Sequence, residues 1–308
     1  MKPGAIDPER DLLGEFRAAG FTYVANATQL KALPASTTKL IGLFHPSNLN
    51  SALDKVAGRR GRSSPVTGNG YPDQPMLDEM TDAALSVLNK NANGFVLLVE
   101  GASIDKQAHN MDSDRWILET IEFDRAIARA KAFAAANPDT LVVISADHEC
   151  AGVNIIGAST VTATSLAQRA NTTNSGAVGL RDQVVGTYDA AGFPVYNILG
   201  DGFPATTNPD RKLLIGYAAN SDRYENWFSN AEPLQDTQQP FNGTAPLNTY
   251  PADPTKRDVN GGFFIAGQVP GSSAVHTASD IPLSAYGRGA ATFTGAYDNT
   301  DVFFKMMA

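Results

Sequence analysis

The sequence holds one cysteine, Cys150, so no disulfide can form within the chain. This leaves the redox compartment open, because export does not require disulfides. No run of about 18 apolar residues occurs, which excludes a membrane-spanning helix. The opening residues, Met1-Lys2-Pro3-Gly4-Ala5-Ile6-Asp7, lack the apolar core of a signal segment. Positive charge is in deficit: 24 Lys and Arg stand against 32 Asp and Glu, a net charge of −8. That balance argues against nucleic acid as the main partner. It also means that an anionic substrate needs a local positive centre, such as a bound metal. Histidine is scarce, with four in the chain, and there is no internal repeat or low-complexity tract. What remains is an ordinary globular composition, 43% hydrophobic and 18% charged, long enough for one large domain or two smaller ones.

Along the chain, helix and strand patterns alternate. Asp7-Pro8-Glu9 predicts a helix start, Leu12, Leu13, Phe16 and Ala19 give an apolar face, and Gly20 ends it. Phe21–Val24 reads as a strand, Asn26 or Thr28 begins a short helix through Leu33, and Lys39–Phe44 reads as a second strand. Residues 47–74 are rich in Gly, Ser, Asn and Pro and read as a surface loop, with a basic cluster at Arg59, Arg60 and Arg62 too short for a nucleic-acid patch. Pro75 begins a helix striped by Leu77, Met80, Ala84 and Leu88. A helix over about 114–135 buries Ile117, Ile121, Ile127 and Phe133 and exposes Glu119, Glu122, Asp124, Arg125 and Arg129. The 150–260 region reads as a loop-rich insertion, with strands at 184–188 and 195–199 as a hairpin, another over 211–217, and loop over 230–258. Strand returns at Gly261–Gly267, and Thr300-Asp301 caps a last helix.

Chemistry concentrates at two strand ends. Phe95–Val99 reads as a buried strand ending at Glu100, and the turn after Gly101 leads into Asp105 and His109. A helix there puts both side chains on one face, either as a zinc-binding pair or as a surface ion pair. The strand Thr140–Ser145 ends at Asp147-His148. A crossover helix between the two strands makes them parallel, so both ends share one rim, the usual ligand-binding edge of an open α/β sheet. That convergence of Glu100, Asp105, His109, Asp147 and His148 favours the metal. His45 reads as a loop histidine, and Cys150, close after the Asp-His pair, either as a residue near the metals or, in preference, as a small buried hydrophobe.

The segment Val99-Glu100-Gly101-Ala102-Ser103-Ile104-Asp105-Lys106-Gln107 through His109 resembles the alkaline phosphatase family. Ser145-Ala146-Asp147-His148-Glu149, and His276-Thr277 followed by Pro282 and Ala285-Tyr286-Gly287, agree in the same order. The resemblance implies an α/β fold, a three-layer sandwich about a mostly parallel central sheet, here incomplete, with residues 1–308 forming one such domain. It implies two zinc ions and one magnesium over the strand ends. Asp105, His109 and His276 match the ligands of one zinc; Asp147 and His148 match two ligands of the second. Glu100 matches a magnesium ligand, and Lys106 a position that reaches the phosphate through water. The implied activity is phosphate monoester hydrolysis through a phosphoserine. A dimer and a periplasmic or extracellular location are also suggested, though neither is written in these residues.

The family's nucleophile, a serine after an aspartate in a small-residue run, has no match. Asp112-Ser113 is the one Asp-Ser pair, is followed by Asp114, and lies after the first metal motif. The bridging aspartate, second magnesium ligand and phosphate-gripping arginine belong upstream as well. The expectation is therefore a C-terminal portion of such an enzyme, inactive alone, or a non-catalytic metal-binding half that needs a separately encoded N-terminal part.

Overall fold

Helix–strand alternation begins with α1 (Leu12–Ala18), β1 (Thr22–Val24), α2 (Ala27–Lys31) and β2 (Leu40–Gly42). The computed structural model describes residues 10–62, 71–159, 188–189, 194–206, 209, 213–219, 223–225, 249–251 and 273–308. Asp7-Pro8-Glu9 lies outside them. The cap of α1 is Asp11, whose Oδ1 accepts a hydrogen bond from the Gly14 N–H at 2.9 Å. The apolar face expected for α1 is not covered, since the helix has no buried residue. Asn26 caps α2 through the Gln29 N–H. β1 and β2 pair in parallel, Tyr23 opposite Ile41. Val24, Leu30 and Phe44 form the core beneath them, with Met80 and Ala83 packed alongside.

The expected loop at 47–74 contains a helix, α3 (Ala52–Arg59). Averaged composition hid it. Ser51 caps its start, and Ala52 and Val56 pack with Met76, Leu118 and Phe203. The basic cluster is no patch, because Arg59 pairs with Glu79 and Arg60 with Asp201. Next come α4 (Leu77–Leu88), α5 (Ser103–His109) and the long α6 (Ser113–Ala136). Phe95–Val99, where a buried strand is expected, belongs to no ladder among the described residues. Phe95 packs edge-on against Phe133 of α6. The opposite face is bare, with Val96 90% and Leu98 88% exposed.

Glu119 and Glu122, expected in solvent, are buried in α6 at 5% and 3% exposure. Their partners explain the inversion. Glu119 Oε1 accepts from the Ala52 N–H, and Glu122 Oε1 accepts from Lys55 Nζ at 2.6 Å and from the Leu77 N–H. Arg115, one turn earlier, is buried between Asp54 and Asp112. Charged residues thus fill the seam between α3 and α6, and a hydrophobicity pattern reads them as outward-facing.

After α6, β3 (Leu141–Ile144) pairs antiparallel with β11 (Ser284–Gly287), and β4 (Glu149–Cys150) with β10 (His276–Thr277). β5 (Val153–Ser159) pairs antiparallel with both β6 (Tyr188–Asp189) and β7 (Leu213–Tyr217). The 150–260 region therefore carries sheet as well as loop, including β8 (Arg223–Glu225) against β9 (Thr249–Pro251). Tyr188 pairs with β5, residues 184–187 of the expected hairpin lie outside the described residues, and 195–199 holds one isolated bridge, Ile198 to Pro204. The strand expected at 261–267 and most of the expected loop at 230–258 lie outside the described residues. A 3₁₀ turn (Ala290–Phe293) leads to α7 (Asn299–Met307). No described helix is long and apolar enough to cross a membrane.

Candidate metal centre

An apolar floor sets the site. Ala108, Met111, Trp116, Cys150, Ala151 and Ala274 are buried together, joining α5, α6, β4 and the approach to β10. Met111 turns the chain between α5 and α6 with φ +56°, and Ala151 turns it after β4 with φ +67°. Both are left-handed conformations unfavourable for side-chain-bearing residues, so the packing must hold them. Ala151 is fully buried, its N–H donating to the Val275 carbonyl and its carbonyl accepting from the Ala219 N–H. Below the floor, the Tyr217 hydroxyl accepts from Trp116 Nε1 at 2.9 Å and lies 2.5 Å from Ser113 Oγ.

Above the floor, Asp105 and His109 stand one turn apart on α5, with Oδ1 3.4 Å from Nε2. β10 brings in His276, whose Nε2 lies 3.2 Å from Asp105 Oδ1 and 3.0 Å from His109 Nε2. The register of β4 and β10 sets Cys150 directly opposite His276. Ligand atoms of Asp105, His109, Cys150 and His276 all lie within 4.8 Å of one another. The other register pair, Thr277 and Glu149, is used elsewhere: Thr277 Oγ1 donates to Glu149 Oε2, which also accepts from the Gly152 N–H.

Second contacts orient the rings. His109 Nδ1 lies 2.6 Å from the Ala274 carbonyl. A carbonyl only accepts, so Nδ1 carries the proton and Nε2 faces the cluster with its lone pair. The His148 ring stacks on His276 at 3.5 Å between centroids. Its Nε2 is 3.2 Å from Asp147 Oδ2, while Asp147 is largely exposed. Burial first, and then Asp105, push the Cys150 thiol above its ordinary range.

The donor set suits zinc. Two imidazoles, a carboxylate and a thiol are the usual zinc ligands, and nitrogen or oxygen ligands at about 2.0–2.1 Å from an ion at a tetrahedral centre stand roughly 3.3 Å apart. The three separations of 3.0, 3.2 and 3.4 Å already approach that edge length. Asp105 Oδ1 is buried and accepts no hydrogen bond, and His148 Nδ1 is likewise buried without a partner. Buried polar atoms left unpaired are costly, and an ion would satisfy the carboxylate.

Of the residues expected at the site, Asp105, His109 and His276 come together, and His148 touches them through its ring, with Asp147 beside it. Glu100 is exposed at the end of the extended segment. Lys106 points to Asn48, Nζ donating to Oδ1 at 2.9 Å. Its place beside the Asp-His pair leaves Cys150 either near the metals or a buried hydrophobe; the alternation that puts it opposite His276 needs the ladder register, which no local pattern supplies. His45 hydrogen-bonds the Ser47 N–H and packs on Tyr71, in keeping with a loop role.

The family model described as alkaline phosphatase matches residues 2–308. Alkaline phosphatase H of Pseudomonas aeruginosa (strain UCBPP-PA14) is 39% identical over 148 residues, covering 45% of this chain and 31% of that protein. Alkaline phosphatase 4 of Bacillus subtilis is 26% identical over 304 residues, covering 97% of this chain and 54% of that protein. The crystal structure of Thermus thermophilus alkaline phosphatase superposes with a TM-score of 0.53 at 22% identity, over 96% of this chain and 57% of that one. The cold-active enzyme of a Shewanella species gives a TM-score of 0.50 at 23% identity, over 96% of this chain and 61% of that one. The chain thus spans between a third and about half of the length of these curated relatives.

Proposed function

Because this chain belongs to the alkaline phosphatase family and shares its α/β fold, we propose that it supplies metal-binding residues of a phosphate monoester hydrolase. One observation carries the reading: Asp105, His109 and His276, drawn from α5 and β10, converge to within 3.4 Å of one another. We assign these three to one zinc, Asp147 and His148 to part of a second, and Glu100 to magnesium. When bound, the metals supply Lewis-acid charge that offsets negative charge on the phosphoryl and leaving oxygens.

The chain's own residues do the positioning. The Ala274 carbonyl holds the His109 Nδ1 proton and so turns Nε2 inward. The His148 ring, stacked on His276, restricts rotation of that imidazole. Lys106, on the same helix as Asp105, is assigned to the substrate phosphate. With a net charge of −8, the chain has no general field that draws in phosphate, so local cations must do so.

The Asp112-Ser113 pair does not fit the nucleophile. Ser113 is 1% exposed and engaged with Tyr217, while Asp112 caps α6 and binds Arg115. Both members of the pair are structural. Without an activated hydroxyl no phosphoserine forms, and the isolated chain is expected to hydrolyse p-nitrophenyl phosphate negligibly with zinc and magnesium added. Robust turnover would refute the missing-nucleophile reading; absence of bound zinc after loading would refute the metal reading.

A second reading is a metal-binding half completed by a separately encoded part. The bare face of Phe95–Val99, with Val96 and Leu98 almost fully exposed, favours it. Mixing the chain with a polypeptide that carries the Asp-Ser run should then produce activity that neither has alone.

A further inference from the structure

We infer that Cys150 is a fourth protein ligand of the centre formed by Asp105, His109 and His276, completing a Cys-His-His-Asp donor set. This rests on the metal reading proposed above and extends it to a residue that the resemblance does not assign. In an antiparallel ladder, directly opposed residues project from the same face. Cys150 is opposed to His276, so its sulfur shares the face on which the His276 imidazole meets His109 and Asp105. Glu149, its neighbour in β4, alternates to the other face and is engaged by Thr277 and the Gly152 and Val153 N–H groups. The sulfur lies within 4.8 Å of the other three ligand atoms. Its one hydrogen bond is a long one, Sγ donating to the Asp105 carbonyl at 3.7 Å.

Thiolate, imidazole and carboxylate are all usual zinc ligands. A thiolate also selects for softer ions. On binding, the Sγ–H bond breaks, the proton goes to solvent, and the sulfur lone pair forms the metal–sulfur bond, with no change of oxidation state. The thiolate would add to the affinity of the centre for its ion.

Cobalt tests this directly, because a cobalt–thiolate bond gives an intense near-ultraviolet charge-transfer band and nitrogen or oxygen ligands do not. Cys150 is the one cysteine in the chain, so the band has a single origin. The full chain, titrated with Co(II), should show the band, which saturates at one thiolate-bound ion per chain. Cys150→Ser should still bind one ion, lose the band, and bind at least about tenfold more weakly, the lower end of the effect seen on removing even a partner of a ligand. Zinc should also shield Cys150 of the unaltered chain from iodoacetamide, a readout that needs no variant. Cobalt bound without the band, or alkylation unaffected by zinc at full occupancy, overturns the role of Cys150 while leaving the three-ligand centre standing. Failure of the unaltered chain to bind cobalt or zinc overturns the centre itself.

Discussion

The Nε2 atoms of His109 and His276 lie 3.0 Å apart although 167 residues separate them along the chain. Without an ion, one must carry a proton to avoid lone-pair repulsion, and the His109 proton is already committed to the Ala274 carbonyl at Nδ1. An ion held there would take up both lone pairs. Zinc at about 100 times its dissociation constant is therefore expected to stabilise the fold by about 2.7 kcal/mol. His109→Ala and His276→Ala should each abolish most of that gain in a thermal melt. A melt that responds to zinc equally in both variants would place the ion elsewhere.

Arg115 supports α6 from inside the protein. Its guanidinium reaches Asp54 Oδ1 at 2.9 Å and Asp112 Oδ2 at 2.8 Å, with 4% of the residue exposed. Removing it leaves two buried carboxylates without their cation. Arg115→Met is expected to cost about 3–5 kcal/mol, read as a lower urea midpoint. The double change with Asp54→Asn should recover part of that loss, because one stranded charge is gone; no recovery would mean that the pairing is not the cause.

How much of this was readable beforehand follows from what each signal depends on. The α5 pair and the Asp147-His148 pair are local patterns, and both appear where spacing put them. α6 was legible within one residue at each end because its apolar period is long. Its buried acids were not, since Glu119 and Glu122 are stabilised by Ala52, Lys55 and Leu77, tens of residues away. Phe95–Val99 has a strand's composition, but a strand exists only with a hydrogen-bonded neighbour, and among the described residues it has none. Cys150 became a candidate ligand only through the β4–β10 register.

Glu119 makes stability depend on pH. Burial, and then the charge of Glu122, push its carboxyl from 4.5 up to about 8. The folded chain thus keeps a proton that the unfolded chain releases between these values. Stability from this group is complete below about pH 4.5 and declines as pH rises toward 8, by up to about 1.4 kcal/mol per pH unit for one proton. Urea midpoints measured from pH 5 to 8 should fall, and Glu119→Gln, whose amide keeps an acceptor for the Ala52 N–H, should flatten the slope. An unchanged slope in that variant would assign the proton to another group.

The exposed side of Phe95–Val99 bears on solution behaviour. Its side chains alternate: Phe95 lies against Phe133, and Val96 and Leu98 face outward, 90% and 88% exposed. Among the described residues the backbone between them joins no ladder. An extended edge of this kind recruits another strand, from a second copy or from a complementing polypeptide. The purified chain is expected to self-associate as its concentration rises. Val96→Thr combined with Leu98→Lys should suppress this in light scattering, because a charge at an edge opposes pairing. Neither side chain takes part in the Asp105, His109 and His276 cluster, so zinc stoichiometry should stay the same. The same double variant should also block any gain of phosphatase activity on mixing with a complementing polypeptide. Complementation that survived the change would locate the docking surface away from this edge.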